Sequence, residues 1–141
     1  MSVERLQTLL DDPGGDDFWS DFLMAEAEEL VEAFSEEQWR QLTTICASWP
    51  AARKVRLAQT LTGIKGKPAS ALESALVFDA DERVAHAAAD GLRFQDPLPA
   101  GDDRMRLIVR LQGLRAGADE FDAHSLDLTL TSLGAAPPRI G

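Results

Sequence analysis

The chain has few of the residues on which disulfides, metal sites and nucleophilic catalysis depend. Its 141 residues include one cysteine, two histidines and no tyrosine. The single cysteine, Cys46, excludes an internal disulfide framework and makes the reducing cytoplasm the expected compartment. The histidines, His86 and His124, are far apart in sequence, which argues against a structural zinc site. We therefore expect neither a metal nor any other cofactor.

Long apolar runs and targeting signals are missing as well. No segment approaches the ~20 apolar residues that a membrane-spanning helix needs. The first residues, Met1 to Gln7, show neither the basic start nor the apolar run of a signal peptide. These observations predict a cytoplasmic protein that makes no contact with a membrane.

Motifs that support catalysis or phosphate binding are incomplete. Cys46 lies on the apolar stripe of a predicted helix without a visible base, which favours core packing over a nucleophilic role. The segment Gly63–Pro68 has some features of a phosphate loop, but proline stands where such a loop needs serine or threonine. The acidic segment Asp11–Asp17 lacks the alternating ligands and closing glutamate of a calcium loop. We expect no catalytic residue and a protein that is not an enzyme.

Negative charge is what the chain has in excess, and its distribution is uneven. The net charge is −10, and residues 1–50 account for all of it, with twelve acids against Arg5 and Arg40. Eleven of these acids lie between Asp11 and Glu37, a stretch without lysine or arginine. Such a surface repels phosphates, so nucleic acid is an unlikely partner, whereas a basic protein surface would be attracted.

Helical periodicity is clearest between Pro68 and Leu92. Its first half places Leu72, Ala75 and Leu76 on one stripe, and its second half does the same with Val84, Ala88 and Leu92. The intervening residues 79–81 are long enough only for a tight turn in which Asp79 or Asp81 can cap the second helix. The pattern predicts an antiparallel helix pair with more apolar surface than two helices can bury, and hence neighbouring pairs on both sides.

Further helices are predicted on either side of this pair. Residues 17–34 form an amphipathic helix whose buried side carries Trp19, Phe22, Leu23, Leu30 and Phe34, and Ser35 begins a capping box for the next helix. In the helix after residue 102, Met105, Ile108, Val109, Leu111 and Leu114 cover so much of the circumference that we expect both sides to be buried. Residues 117–124 are expected to form a loop. Residues 125–133 fit a strand or a helix, and we favour helix because a lone strand would have no partner.

These elements predict an all-α fold, a single domain over residues 1–134 built from stacked antiparallel helix hairpins, with about seven to eight helices in total. Residues 1–34 form an acidic cap, residues 35–92 two hairpins and residues 103–134 the last hairpin. Residues 135–141 are expected to be a flexible tail.

One unit resembles a known repeat. Leu72-Glu-Ser-Ala-Leu-Val-Phe-Asp-Ala-Asp-Glu-Arg-Val-Ala-His-Ala-Ala-Ala-Asp-Gly-Leu92 is similar to a HEAT-type repeat, in which two helices flank an Asp-containing turn that is followed by Val, Ala-Ala and a closing Leu. The resemblance implies an α-solenoid. Small acidic proteins of this kind also resemble, more loosely, the bacterial immunity proteins that neutralise toxin domains.

Three functions are compatible with these features. The leading hypothesis is an immunity-type inhibitor that occludes a basic toxin domain through an acidic surface. The alternatives are an adaptor that binds a peptide or itself through the Ala-rich groove of the central hairpin, and a nucleic-acid binder that uses residues 53–67. The acids have a structural interpretation too, as helix-dipole partners or as counter-ions of Arg53, Lys54, Arg56, Arg106 and Arg110. The candidate partner-binding residues are Asp11, Asp12, Asp16, Asp17, Asp21, Glu28, Glu29 and Glu32.

Overall fold

The computed structural model describes residues 2–135, and this part of the chain contains helices and no strand. A π-helical turn at Trp19–Leu23 joins α2 and α3 into one continuous helix, so the described residues contain eight separate helices. The predicted all-α fold with about seven to eight helices is therefore confirmed. The helices are α1 (Ser2–Leu10), α2 (Gly15–Phe18), α3 (Met24–Glu32), α4 (Glu36–Cys46), α5 (Ala51–Thr62), α6 (Lys67–Val77), α7 (Glu82–Leu92), α8 (Gly101–Ala116) and α9 (Glu120–Ser132).

Side-chain caps fix where several of these helices begin. Ser35 and Gln38 form the predicted capping box, in which the Ser35 hydroxyl accepts from the Gln38 N–H at 3.2 Å and the Gln38 amide oxygen accepts from the Ser35 N–H at 2.8 Å. Asp81 caps α7 by accepting from the Arg83 N–H at 2.9 Å, as the turn sequence predicts. Asp119 caps α9 in the same way.

The helices pack in a layered row. Helices α3, α5, α7 and α9 contact one another in that order, while α6 and α8 pack against this row and against each other. Helix α7 lies centrally, between α5 on one side and α8 and α9 on the other. The predicted inner faces of α5 and α7 are buried in one continuous core, although Ala75 of α6 faces solvent. The central residues of this core are Leu57, Ala58, Leu61, Leu72, Leu76, Val84, Ala88 and Leu92.

The prediction that α8 is buried on both sides is wrong. Leu107, Leu111 and Leu114 face the core, but Met105 and Val109 are 60% and 67% exposed. Helix α8 packs against α6, α7 and α9 with its buried side. Its opposite side, which carries Met105 and Val109, stays exposed in the described part of the chain.

Helix α9 settles the ambiguity of residues 125–133 in favour of helix. It begins at Glu120, inside the segment predicted as a loop, because Asp119 caps it. Leu126, Leu130 and Leu133 are buried, as the helical spacing requires. Ala135 packs on the core, and the rest of the predicted tail, residues 136–141, lies outside the described residues.

Candidate partner-binding surface

The π-helical turn sets the orientation of the whole acidic helix. The Met24 N–H donates to the Trp19 carbonyl, five residues back, which inserts one extra residue into the turn. Trp19 is buried as predicted, but Phe22 is 65% exposed, so its assignment to the core is wrong. After the extra residue, the buried side of the helix lies one position later than in the predicted regular helix. Ala27 and Val31 are therefore buried, and Leu30 is only half-buried.

Trp19 holds this turn against α5. Its indole N–H donates to the Gln59 amide oxygen at 2.7 Å, and the Arg56 guanidinium lies 5.2 Å from its ring centroid. Arg56 also donates to the carbonyl oxygens of Leu10 and Asp12, at 3.1 and 2.8 Å. One side chain of α5 thus positions both the end of α1 and the π-helical turn.

The first acidic residues are tied to the same helix. Asp11 accepts two hydrogen bonds from Arg53, each of 2.7 Å, and the Arg53 guanidinium lies 5.1 Å from the Trp49 ring centroid. The Asp12 side chain accepts from the Gly14 N–H at 2.8 Å. Asp16 is fully exposed, with the Arg56 guanidinium 3.7 Å from its carboxylate. The structural interpretation therefore holds for Asp11 as a counter-ion of Arg53, and for Asp16 and Asp17 as acids in the first turn of the helix that begins at Gly15.

A groove of about 890 Å³ runs along α5 beside these residues. Its lining includes four candidate residues, Val55 and Gln59 of α5, and Arg83 and Asp90 of α7. The groove contains five carboxylates and three guanidinium groups. The four candidate residues of the lining are Asp11, Asp12, Asp16 and Asp17.

The other four candidate residues lie outside the groove, along the continuous helix from Gly15 to Glu32. Asp21, Glu29 and Glu32 are exposed, and Glu28 is half-buried. No lysine or arginine nitrogen within residues 2–135 lies within 4.0 Å of any of these four carboxylates. The structure thus divides the predicted site into a groove lining and a separate helix face.

Glu28 is in a position that disfavours negative charge. Its carboxylate packs against Gly63, where a Cβ would lie 2.8 Å from the nearest Glu28 oxygen. Gly63 is the C-cap of α5, the negative end of that helix dipole. Burial raises the pKa of Glu28, and the neighbouring Glu32 carboxylate raises it further.

The basic stretch is largely occupied by contacts within the chain. Lys54 forms an ion pair of 2.5 Å with Asp79, and Lys65 donates to the Phe94 carbonyl. Arg53 and Arg56 hold the acidic loop, as described above. Four of the five cations proposed for nucleic-acid binding between residues 53 and 67 therefore have intramolecular partners. Lys67 is the fifth, at the start of α6.

A second groove, of about 740 Å³, lies between α6 and α8. Its walls carry small and apolar side chains, including Ala71, Ala75, Phe78 and Leu98, with Asp103 and Arg106 at one edge. Phe78 is 49% exposed. This groove shares only its α6 side with the central hairpin that the adaptor hypothesis uses, because Ala85, Ala88 and Ala89 of α7 are buried in the core.

A buried polar cluster that no sequence pattern predicts lies between α5, α6 and α7. Glu73 is completely buried, and one of its oxygens lies 3.4 Å from the Thr62 hydroxyl and 3.5 Å from the Gln95 amide nitrogen. Burial raises the pKa of Glu73 well above its ordinary value. Space for its carboxyl group comes from Gly91, where a Cβ would lie 2.6 Å from a Glu73 oxygen. The only sequence signal was a glycine within an Ala-rich helix.

The cysteine and the metal-ligating side chains of residues 2–135 form no metal-binding cluster. Cys46 is buried, and burial raises the pKa of its thiol. Within residues 2–135, no cluster of three or more His, Cys, Asp or Glu side chains is arranged to hold a metal ion. In the same range, no helix combines the length and the apolar composition that crossing a bilayer requires.

Comparisons with known proteins give no family for this chain. No protein-family model matches it, and searches of curated proteins and of solved structures found no significant match. The resemblance of residues 72–92 to a HEAT-type repeat, and the looser one to immunity proteins, therefore stay predictions.

Proposed function

We propose that this protein is a non-enzymatic binding module that captures a basic protein partner through its acidic N-terminal third. The most specific form of the proposal is an immunity-type inhibitor that occludes a cationic toxin domain in the cytoplasm. The proposal combines the uneven charge of the chain with the positions of the carboxylates on the fold. Nucleic acid and membranes are not the partners we propose.

The observation that carries the proposal is the placement of Asp21, Glu28, Glu29 and Glu32. None of the four has a cation of residues 2–135 within 4.0 Å. All four lie beyond the first turn of the continuous helix that begins at Gly15, so the helix dipole does not favour their charge. No ion pair or helix-dipole contact among the described residues accounts for these four charges, whereas attraction of a basic partner would.

Glu28 strengthens this argument. It is close to Glu32, packs against the C-cap of α5 and loses hydration by partial burial. All three influences oppose a negative charge at this position, and like charges at i, i+4 cost a few tenths of a kcal/mol in a helix. Retaining glutamate here lowers stability slightly, which supports a role for the charge outside the fold.

Binding through such a surface would proceed by electrostatic steering followed by close contact. Long-range attraction between the acidic helix and a basic partner raises the association rate, and apolar side chains beside the acids determine how long the complex lasts. The ordered helix scaffold limits the entropy lost on binding. Inhibition would follow from occlusion, because the bound protein covers the cationic surface that the toxin uses.

Charge reversal tests the proposal directly. In Glu28→Lys/Glu32→Lys we expect affinity for the basic partner to fall by roughly tenfold or more, mainly through slower association. The matched control is Asp102→Lys/Glu120→Lys, which changes the net charge equally but on exposed residues of the last hairpin. Surface plasmon resonance at increasing salt concentration measures the affinity and the association rate of both variants. Equal losses in the two variants would show that net charge, and not this helix, determines binding.

The partner itself is identified by pull-down from the source cells with mass spectrometry. An immunity-type role predicts one stoichiometric basic protein, and deletion of the inhibitor should be toxic only in cells that carry this partner. Recovery of an acidic or neutral partner whose binding does not change with salt would contradict the proposal.

A second candidate function is an adaptor that binds an apolar peptide in the groove between α6 and α8. The specific observation in its favour is the apolar lining of that groove, with Ala71, Ala75, Phe78 and Leu98. This function predicts binding that is insensitive to salt and is lost in Ala75→Glu but retained in Glu28→Lys/Glu32→Lys.

A further inference from the structure

The π-helical turn presents two phenylalanines to solvent. Phe18 and Phe22 are 43% and 65% exposed, and their ring centroids are 5.3 Å apart with the ring planes inclined by 40°. Phe18 packs over Gly14, where a Cβ would lie 2.7 Å from its ring. Phe18 is thus in contact with both Gly14 and Phe22, and the two rings together present an exposed aromatic surface.

The conformation of the turn exposes this pair. An uninterrupted α-helix would place Phe22 close to the buried stripe of Trp19, but the extra residue of the π-helical turn rotates it outward. Trp19 anchors the opposite side through its hydrogen bond to Gln59. Turns of this kind are uncommon and often occur at functional sites.

Each phenylalanine follows an aspartate in the sequence, so the row formed by Asp17 and Asp21 lies next to the row formed by Phe18 and Phe22 on the helix surface. Asp17 and Asp21 each precede one of the phenylalanines, are exposed, and have no cation of the described residues within 4.0 Å. An aromatic face beside a carboxylate suits arginine better than lysine, since a planar guanidinium can stack on a ring and donate hydrogen bonds at its edge.

The chain already contains this combination within its own fold. The Arg53 guanidinium lies 5.1 Å from the Trp49 ring centroid while it donates two hydrogen bonds to Asp11. At the Phe18–Phe22 pair the ring faces and the carboxylates are present, and no arginine among residues 2–135 lies over these two rings.

We propose that the Phe18–Phe22 pair, together with the adjacent Asp17 and Asp21, is the docking point for an arginine side chain of the basic partner. The inference rests on the proposed function and deepens it, because it specifies the contact point and the chemistry of the partner residue. It predicts that the protein prefers arginine to lysine, although the two side chains carry equal charge. Attraction by the acidic helix alone predicts no such preference.

Two synthetic peptides test the inference without knowledge of the partner. One alternates arginine with glycine, and the other has lysine in place of every arginine. Calorimetry should show that the wild-type protein binds the arginine peptide roughly threefold to fivefold more tightly than the lysine peptide, the scale of exposed cation–π contacts. In NMR spectra of the wild-type protein, the ring resonances of Phe18 and Phe22 should shift with the arginine peptide more than with the lysine peptide.

The discriminating variant is Phe18→Leu/Phe22→Leu, which keeps apolar volume but removes the aromatic faces. We expect it to bind both peptides equally. The matched control is Phe94→Leu/Phe121→Leu, which alters two other exposed phenylalanines and should retain the preference for arginine. Circular dichroism verifies that both variants are folded.

The outcomes separate this inference from the proposed function. An arginine preference that persists in Phe18→Leu/Phe22→Leu, or ring resonances that respond equally to both peptides, would overturn the docking point. The proposed function would still stand if Glu28→Lys/Glu32→Lys weakened binding of both peptides. Failure of both peptides to bind the wild-type protein would overturn the two together.

Discussion

The acidic residues after residue 50 and those of the helix from Gly15 to Glu32 occupy different kinds of position. Of the twelve acids between residues 51 and 135, ten lie in an ion pair, at an N-cap or in the first turn of a helix. The exceptions are the buried Glu73 and the loop residue Asp96. In the N-terminal helix, Asp21, Glu28, Glu29 and Glu32 have none of these roles.

This difference shows that net charge alone is a poor guide to a binding surface. Both parts of the chain carry exposed carboxylates, but in the C-terminal part the fold stabilises nearly all of them. The four acids of the N-terminal helix increase repulsion within the molecule without a compensating contact. Measurements of stability can therefore test whether the two sets differ as their positions indicate.

The largest effect is expected at a compensated acid, Asp79. In Asp79→Ala the Lys54 ammonium, whose side chain is only 13% exposed, loses its counter-ion, and the Asp81 N–H loses its acceptor. We expect the free energy of unfolding to fall by about 2–4 kcal/mol, toward the range for breaking a buried pair. Urea unfolding measures it, and Asp21→Ala is the control, with an expected change within about 0.5 kcal/mol. Similar changes in the two variants would remove the distinction between the two sets of acids.

A smaller effect of opposite sign is expected at Glu73. One Glu73 oxygen and the Gln95 amide oxygen are buried without a hydrogen-bond partner, and Glu73→Gln supplies an N–H donor in their vicinity. We expect this variant to be more stable at neutral pH by about 1–3 kcal/mol, the cost of an unsatisfied buried polar group. Glu29→Gln, on an exposed side chain, is the control. Destabilisation by Glu73→Gln would show that the carboxylate makes a contact that the amide cannot.

The pH dependence of this effect has a definite sign. Because the folded state raises the pKa of Glu73 above its ordinary value of 4.5, the folded protein retains a proton that the unfolded chain releases. Its contribution to the free energy of unfolding is complete below pH 4.5 and decreases as the pH rises toward the folded-state pKa. Glu73→Gln should remove this decrease, so the advantage of the variant should grow from pH 4 to pH 8.

Local signals in the sequence were enough for the helices but not for the surface. The capping box at Ser35 and the Asp81 cap depend on neighbouring residues, and the structure confirms both. The π-helical turn places Trp19 in a hydrogen bond with Gln59, 40 residues away, and no local pattern shows this contact. For the same reason the sequence wrongly placed Phe22 in the core.

The acidic site shows the same division between local and long-range information. An excess of acids between Asp11 and Glu37 is visible in the sequence. The contacts that neutralise Asp11, and partly Asp16, come from Arg53 and Arg56 on another helix, so the sequence cannot distinguish them from acids such as Glu29. Burial of Glu73 likewise depends on the space beside Gly91, across a helix interface.

The smallest effect, and the one that most sharply separates binding from folding, is expected for Glu28→Gln/Glu32→Gln. Removing two like charges four residues apart, one of them at the C-terminal end of α5, should raise the free energy of unfolding by about 0.5–1 kcal/mol at low salt. Added salt should reduce this gain, since it screens the same repulsion. Urea unfolding of both proteins at low and high salt measures the difference. A loss of stability would mean that these acids belong to the fold, whereas a gain in stability with weaker binding of the basic partner would mean that their charge serves recognition.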